Sequence, residues 1–430
     1  MKIDLPYGDR FFSLELPAGR VKQVLEAKPL PVADSEEKLV AEALARPIDS
    51  APLAELVNKG EKACIIIGDM TRSWVRHHVL IPPILNELNR GGISDRDIFI
   101  ISATGDHREQ ADSEHKLLVG EEAWGRVQVV DHRARNQAEM AFLGHTSYGT
   151  PVSVSRRVAE ADRVILTGGI VYHFLAGWGG GKKALVPGVS SYETIMKNHS
   201  LAFFPEEGRG LNPDVCAGRI DGNPCSDDMV QGASLVGPDF LVNCIINEDA
   251  HRIAYAVAGN YITAFRKGCA LVEAHFGVSI ADRSRLVIAS CGGYPKDINF
   301  YQTYKTIYNA HFALEKGGTL LLISESRERV GSDDFASVFE NYADNRQREA
   351  ALRCNYTIGG QMGYHSAVIA EENDILVLSS LPAEQVEQMG MVPIKSLEEG
   401  LDFIVKKHGT IPPAYIMPHG GSTMPYVTAL

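Results

Sequence analysis

The sequence predicts an α/β protein of two domains, each built on a largely parallel sheet. Three observations carry that prediction. Short runs rich in Val and Ile recur along the chain, as expected of strands covered on both faces of a parallel sheet. Stretches of helical period separate them, which is the alternation of an α/β fold. The 430 residues are also more than one hydrophobic core usually serves.

The first series of strands reads ACIIIG (63–68), DIFIISA (97–103), RVQVVD (126–131) and RVILTG (163–168), with helices around 81–90 and 110–119. Region 193–283 is mixed and holds a predicted helix, NYITAFRKGCALVEAHF, over 260–276. A second series follows in RLVIASC (285–291), GTLLLIS (318–324) and DILVLSS (374–380). These predict an N-terminal domain of residues 1–270 and a C-terminal domain of 280–415, with the active site in the cleft between them. Residues 416–430 are expected to be a tail that packs back on the first domain.

Composition narrows the function. Hydrophobic residues make up 45% and charged residues 22%, as in ordinary soluble proteins. A net charge of −12 argues against a nucleic-acid or membrane-surface binder, since both select basic patches. The opening MKIDLPYGDRFFSLELP lacks a basic-then-apolar signal pattern. No apolar run approaches the roughly 18 residues that span a bilayer. Seven cysteines without a CxxC pair read as reduced, mostly buried thiols in a cytoplasmic protein.

Polar clusters fall where strands end. GDMTR (68–72), TGDHR (104–108), GGIVYH (168–173) and CGGYPKD (291–297) each follow a predicted strand. Ligands of open parallel sheets bind outside the carboxyl ends of the strands, so the four ends are expected to converge on one pocket. Arg72 suits a carboxylate because its planar fork donates two parallel hydrogen bonds. Asp69 either orients a neighbour or merely fixes the loop with Arg72. His107 and His173 are candidate acid/base groups, titrating near neutral pH. His77, His78, His115, His132 and His145 read as surface or structural.

The glycine-rich stretch YHFLAGWGGGKKALVPG (172–188) fails as a nucleotide-triphosphate loop. Ala176 stands where the first glycine is needed, and Lys183 takes the Ser/Thr place. A proline where a Rossmann helix should run removes the dinucleotide reading. A helix follows at SSYETIMKNHS (190–200), with Ser190 as predicted N-cap and Glu193 completing a capping box. The residues thus give a lysine, three histidines and an arginine around an anion-friendly loop.

With DMTR (69–72), GDHR (105–108), His173 then AGWGGGKK (176–183), NHS (198–200) and YQTYK (301–305), the chain resembles the nickel-dependent lactate racemases along essentially its whole length. The resemblance implies a racemase or epimerase that inverts C2 of a 2-hydroxy acid by proton-coupled hydride transfer. It implies nickel carried by pyridinium-3,5-bisthiocarboxylic acid mononucleotide, covalently bonded to Lys183, with His199 completing the metal site. Asp69, Thr71, Gly179, Gly180, Gly181 and Lys182 become cofactor contacts, the glycines giving clearance for a flat group. His107 and His173 become the two bases, and Arg72, Tyr301, Gln302 and Lys305 the substrate contacts. Cofactor-synthesis proteins are the implied partners.

Lactate-using members of that family line the pocket with a tryptophan late in the second domain. The comparable GGQMGYHSA (359–367) has none, placing Gln361 or His365 there instead, and Trp74 and Trp178 also depart from the pattern. Malate, a sugar acid such as gluconate and an aromatic 2-hydroxy acid are therefore alternatives to lactate. Two other classes compete: a zinc or nickel hydrolase using His107, His173 and His199 as ligands, and a non-catalytic ligand or cofactor carrier.

Overall fold

Ala63–Gly68 is an interior strand of a six-stranded sheet ordered Arg252–Gly259, Phe240–Asn247, Arg163–Gly169, Ala63–Gly68, Ile98–Ala103, Gln128–Asp131. All neighbours run parallel except the antiparallel edge strand Arg252–Gly259. The last four of these are the predicted Val/Ile runs, and Cys64, Ile65, Ile66 and Ile67 are wholly buried. The helix His77–Arg90 lays Leu80, Ile84 and Leu88 on that sheet in one core. This computed structural model describes residues 1–428.

The sheet belongs to a unit formed by Leu30–Pro205 and Leu211–Glu273; the other unit comprises Met1–Pro29, Glu206–Gly210 and the chain from Ala274 onward. In this second unit an all-parallel sheet is ordered Val392–Ile394, Asp374–Leu378, Leu314–Ile323, Ser284–Ser290, Ala414–Met417, Val21–Val24. Leu286, Ile288, Leu321, Ile323, Leu376 and Ile416 build its core with Ile404 from the helix Leu397–His408.

Two boundary expectations are corrected. Residues 1–29 do not belong with the N-terminal domain. The hairpin Lys2–Tyr7/Arg10–Glu15 buries Leu5 and Leu14 in the second unit's core, because a lone two-stranded hairpin cannot cover its own apolar face. The tail does not return to the first domain either. Ala414–Met417 is an interior strand, and Met424–Val427 pairs in parallel with Gly277–Ile280, which satisfies its backbone locally. The last two residues of the expected 416–430 tail lie outside the described residues.

The helix after the glycine loop spans Tyr192–Ser200, one residue later than the capping box implied. Ser191, not Ser190, caps it by accepting from the Thr194 N–H, while the Ser190 hydroxyl donates to the Leu185 carbonyl. All seven cysteines are free thiols, five of them buried. Among the described residues no helix is long and apolar enough to cross a membrane.

Candidate active site

The strand order places the site. From Ala63–Gly68 the chain builds outward through Ile98–Ala103 to Gln128–Asp131, then returns to the other side of Ala63–Gly68 as Arg163–Gly169. The order reverses between Ala63–Gly68 and Arg163–Gly169, the kind of point where such sheets bind ligands. GDMTR and the segment leading to His173 leave the carboxyl ends of those two strands, and TGDHR leaves the next one. The fourth expected member, CGGYPKD, follows Ser284–Ser290 of the other unit. There Asp297 accepts from the Gly8 and Glu325 N–H groups at 2.7 and 3.0 Å, a structural use of its carboxylate.

The first turn is a short 3-10 stretch, Met70–Val75. Gly68 leaves room for it, since a Cβ there would stand 2.7 Å from Arg72 Cβ. Buried His77 accepts from the Gly68 N–H at 2.9 Å and pins the turn. Burial pushes His77 down to about 3, so it is a neutral structural residue. Buried Asp69 accepts from the Thr71 hydroxyl at 2.6 Å and pairs with His107 Nδ1 at 2.5 Å. Desolvation alone would raise the Asp69 carboxyl, but hydrogen bonds from His107 and Thr71 outweigh it and hold the carboxyl below its ordinary value. The charged carboxylate keeps the His107 proton on Nδ1 and turns Nε2 outward as a lone pair. Asp69 thus supports His107, and Thr71 in turn holds Asp69. Arg72 is exposed, and its guanidinium bonds locally to the Thr71 carbonyl and hydroxyl.

The second group sits on the glycine loop. His173 Nδ1 accepts from the Leu175 and Ala176 N–H groups at 3.1 and 3.3 Å, and its Nε2 lies 2.7 Å from Lys183 Nζ. With Nδ1 occupied by two donors, a neutral ring carries its proton on Nε2, and Lys183 accepts it through an amine lone pair. The electrostatics agree. Burial, reinforced by Arg72 and Lys182, drives Lys183 well below its ordinary value. Burial, with Lys183, Arg72 and His199 adding repulsion, does the same to His173. His199, buried on the helix Tyr192–Ser200, is pushed by desolvation to about 3 and stays a neutral imidazole. The structure therefore gathers His173, Lys183, His199 and Arg72 into one neighbourhood.

Lys182 diverges from its neighbour. Its amine donates to the Ala176 carbonyl at 3.3 Å and lies 4.8 Å over Phe265, beside a cavity of about 330 Å³ lined by Tyr148, Asp227, Tyr261 and Arg266. Burial lowers it to about 8.

The glycines also serve the protein itself. A Cβ on Gly177 would stand 1.9 Å from the Arg219 carbonyl, and on Gly181 2.6 Å from Phe265. Gly180 faces Asn243, and Gly179 faces Val171. The Gly179 and Gly181 N–H groups donate to the Val171 carbonyl and to Asn243 Oδ1. The glycines thus let the loop pack closely on its own unit. Trp178 shares that task, stacking on Tyr172 at 4.3 Å and donating to the Gly218 carbonyl at 3.0 Å. Trp74 packs over Gly169.

Two supporting residues escaped the sequence reading. Asn243, buried mid-strand, holds the Gly181 N–H at 2.8 Å. Asn198 donates to the Cys225 carbonyl and to Asp228 at 3.0 and 2.8 Å, fixing the helix that carries His199. Their signal was an amide inside an apolar or helical run, which must find a partner when buried.

In the other unit, Asn299 caps the helix Phe300–His311. Tyr301, Gln302 and Lys305 share its less buried face, opposite buried Thr303, Tyr304 and Ile307. Gln361 and His365 are committed internally: the Tyr356 hydroxyl donates to Gln361, and the Tyr304 hydroxyl pairs with His365 Nδ1 at 3.0 Å. Gln361 is buried and His365 half-buried. Among the described residues no group of three or more His, Cys, Asp or Glu side chains is arranged to hold a metal ion.

Family models described as the lactate racemase N-terminal and C-terminal domains match residues 7–210 and 280–424. A lactate racemase of Thermoanaerobacterium thermosaccharolyticum is 30% identical over 410 residues, covering 93% of each chain. A lactate racemase of Lactiplantibacillus plantarum is 29% identical over 434 residues, covering 97% of this chain and 98% of that one. The solved lactate racemase apoprotein from T. thermosaccharolyticum superposes with a TM-score of 0.87 at 29% identity, covering 99% of this chain and all of that one. A Thermotoga maritima protein at 18% identity and TM-score 0.60, with 94% of this chain covered, shares the fold.

Proposed function

This chain belongs to the lactate racemase family and is an isomerase, and on that premise we propose that it inverts C2 of a small 2-hydroxy acid with a nickel-pincer nucleotide held through Lys183 and His199. The donor chemistry fits such a group. A half-buried amine driven well below its ordinary value is a better nucleophile for forming the covalent anchor, and a buried neutral imidazole is a ready ligand for nickel. Sulfur donors from the nucleotide would complete the metal's coordination beside His199. When bound, the group supplies a hydride acceptor for the substrate carbon.

The chain's own residues do the rest. Arg72, exposed and without a carboxylate partner among the described residues, clamps the substrate carboxylate. His107 takes the hydroxyl proton at Nε2, and charged Asp69 stabilises the resulting imidazolium through Nδ1–H. His173 serves the opposite face of the planar 2-keto acid, which inversion requires. Tyr301, Gln302 and Lys305 are assigned to the substrate as a further part of the proposal. Cofactor-synthesis proteins would have to load the chain first.

The observation that carries this reading is the 2.7 Å contact between His173 Nε2 and Lys183 Nζ, a proton-carrying imidazole set directly against the anchor. The test is a chiral screen of 2-hydroxy acids, lactate first, with protein made alongside the cofactor pathway and checked by mass for an adduct on the Lys183 peptide. Inversion by adduct-bearing protein supports the proposal. An unmodified Lys183 in protein that nevertheless racemises would remove it.

A further inference from the structure

We propose that Gln110 is a positioning residue whose side-chain amide clamps the loop bearing His107 to the turn bearing Asp69. The inference rests on the assignment of His107 as a base. Gln110 lies three residues beyond His107, where the loop enters the helix Asp112–Arg126. Its Oε1 accepts from the Met70 N–H at 2.6 Å, immediately after Asp69. Its Nε2 donates to Ser102 Oγ at 2.6 Å and to Asp131 Oδ1 at 2.8 Å. The Gln110 N–H donates to Asp131 Oδ2 at 2.6 Å.

The pattern admits one orientation of the amide. Turned over, its NH2 would face the Met70 N–H while its carbonyl met a carboxylate. Asp131 is itself fixed by His115 Nε2 at 2.8 Å. Desolvation would raise the Asp131 carboxyl, yet the donors from His115 and Gln110 outweigh it and keep it charged. Ser102 and Asp131 belong to the strands Ile98–Ala103 and Gln128–Asp131, so the amide ties both loops to the rigid sheet. Without it, His107 would remain held by the Asp69 pairing and by its N–H donating to the Thr104 carbonyl at 2.9 Å. Neither bond fixes the turn to the loop independently of the catalytic pair. Gln110 does, and a 2.5 Å pairing between side chains from separate loops depends on such a reference.

The test compares the full-length chain with Gln110→Ala and Gln110→Met. Met keeps the side chain's length and bulk and removes every side-chain hydrogen bond, leaving the backbone N–H bond to Asp131. In the chain without cofactor, the His107 Nδ1–H proton of the Asp69 pair is followed by NMR. In the loaded enzyme, kcat and KM are measured separately. Both variants should lose the downfield proton signal, and kcat should fall about 10²-fold, the effect expected of a misplaced reacting group. KM should change less than about twofold, because uniform binding is untouched. If Gln110→Ala fails to fold, Gln110→Met decides alone. Retention of both the signal and kcat in Gln110→Met would overturn the proposal. Loss of the signal in variants of a chain whose loaded wild type racemises nothing would uphold the clamp and sink the racemase mechanism instead.

Discussion

His107 and His173 hold their protons differently, and that difference has consequences for each. His107 is oriented by a charged partner, so Asp69→Asn should keep the fold and lower kcat by roughly 10²–10⁴, the range for a mis-set general base. Steady-state kinetics of the loaded enzyme checks this; a kcat within about twofold of wild type would return Asp69 to a loop-fixing role. His199→Ala should retain the mass adduct on Lys183 and lose nickel, read by metal analysis. Lys183→Ala should lose both. At this scale the sequence was legible where one conspicuous side chain stands beside a strand end, as with Arg72 and His107. It was opaque for Gln110, Asn198 and Asn243, because an amide's task is set by partners tens of residues away.

The loop at 176–188 behaves as an element whose glycines are spent on packing. Gly177 has φ +72 and touches the Arg219 backbone, so Gly177→Ala carries a double penalty of strain and overlap. Asn243→Ala strands the buried Gly181 N–H and should cost about 1–3 kcal/mol, measured by denaturant unfolding. A cost below about 0.5 kcal/mol would mean the loop is held elsewhere. Uninterrupted Val/Ile runs revealed their strands, but Phe240–Asn247 passed unread. Its FLVNCIIN breaks the apolar run with asparagine, although all eight residues are buried. The helix start at Tyr192 was misread by one residue because two serines stand in tandem and only Ser191 reaches the Thr194 N–H.

Across the whole molecule, several histidines are folded away uncharged. Burial holds His77 and His365 at about 3, and His132 and His311 at about 4, against an unfolded value near 6.5. Between those values the unfolded chain binds the protons, so stability is full above about pH 6.5 and falls as pH drops toward 4. Each such group contributes up to about 1.4 kcal/mol per pH unit. The melting temperature should therefore decline steadily from pH 6.5 to 4.5, and a flat profile there would contradict these neutral buried states. The overall plan of two α/β sheets was legible from strand periodicity. The long-range return of residues 1–29 into the second unit was not, since parallel pairing of Val21–Val24 with Ala414–Met417 leaves no local signature. The mechanism itself is tested most directly with 2-hydroxy acids deuterated at C2, incubated in ordinary water with protein bearing the Lys183 adduct. Inversion with the deuterium retained at C2 is the predicted result. Inversion with the label lost to water, or no inversion of any acid in the panel, would contradict it.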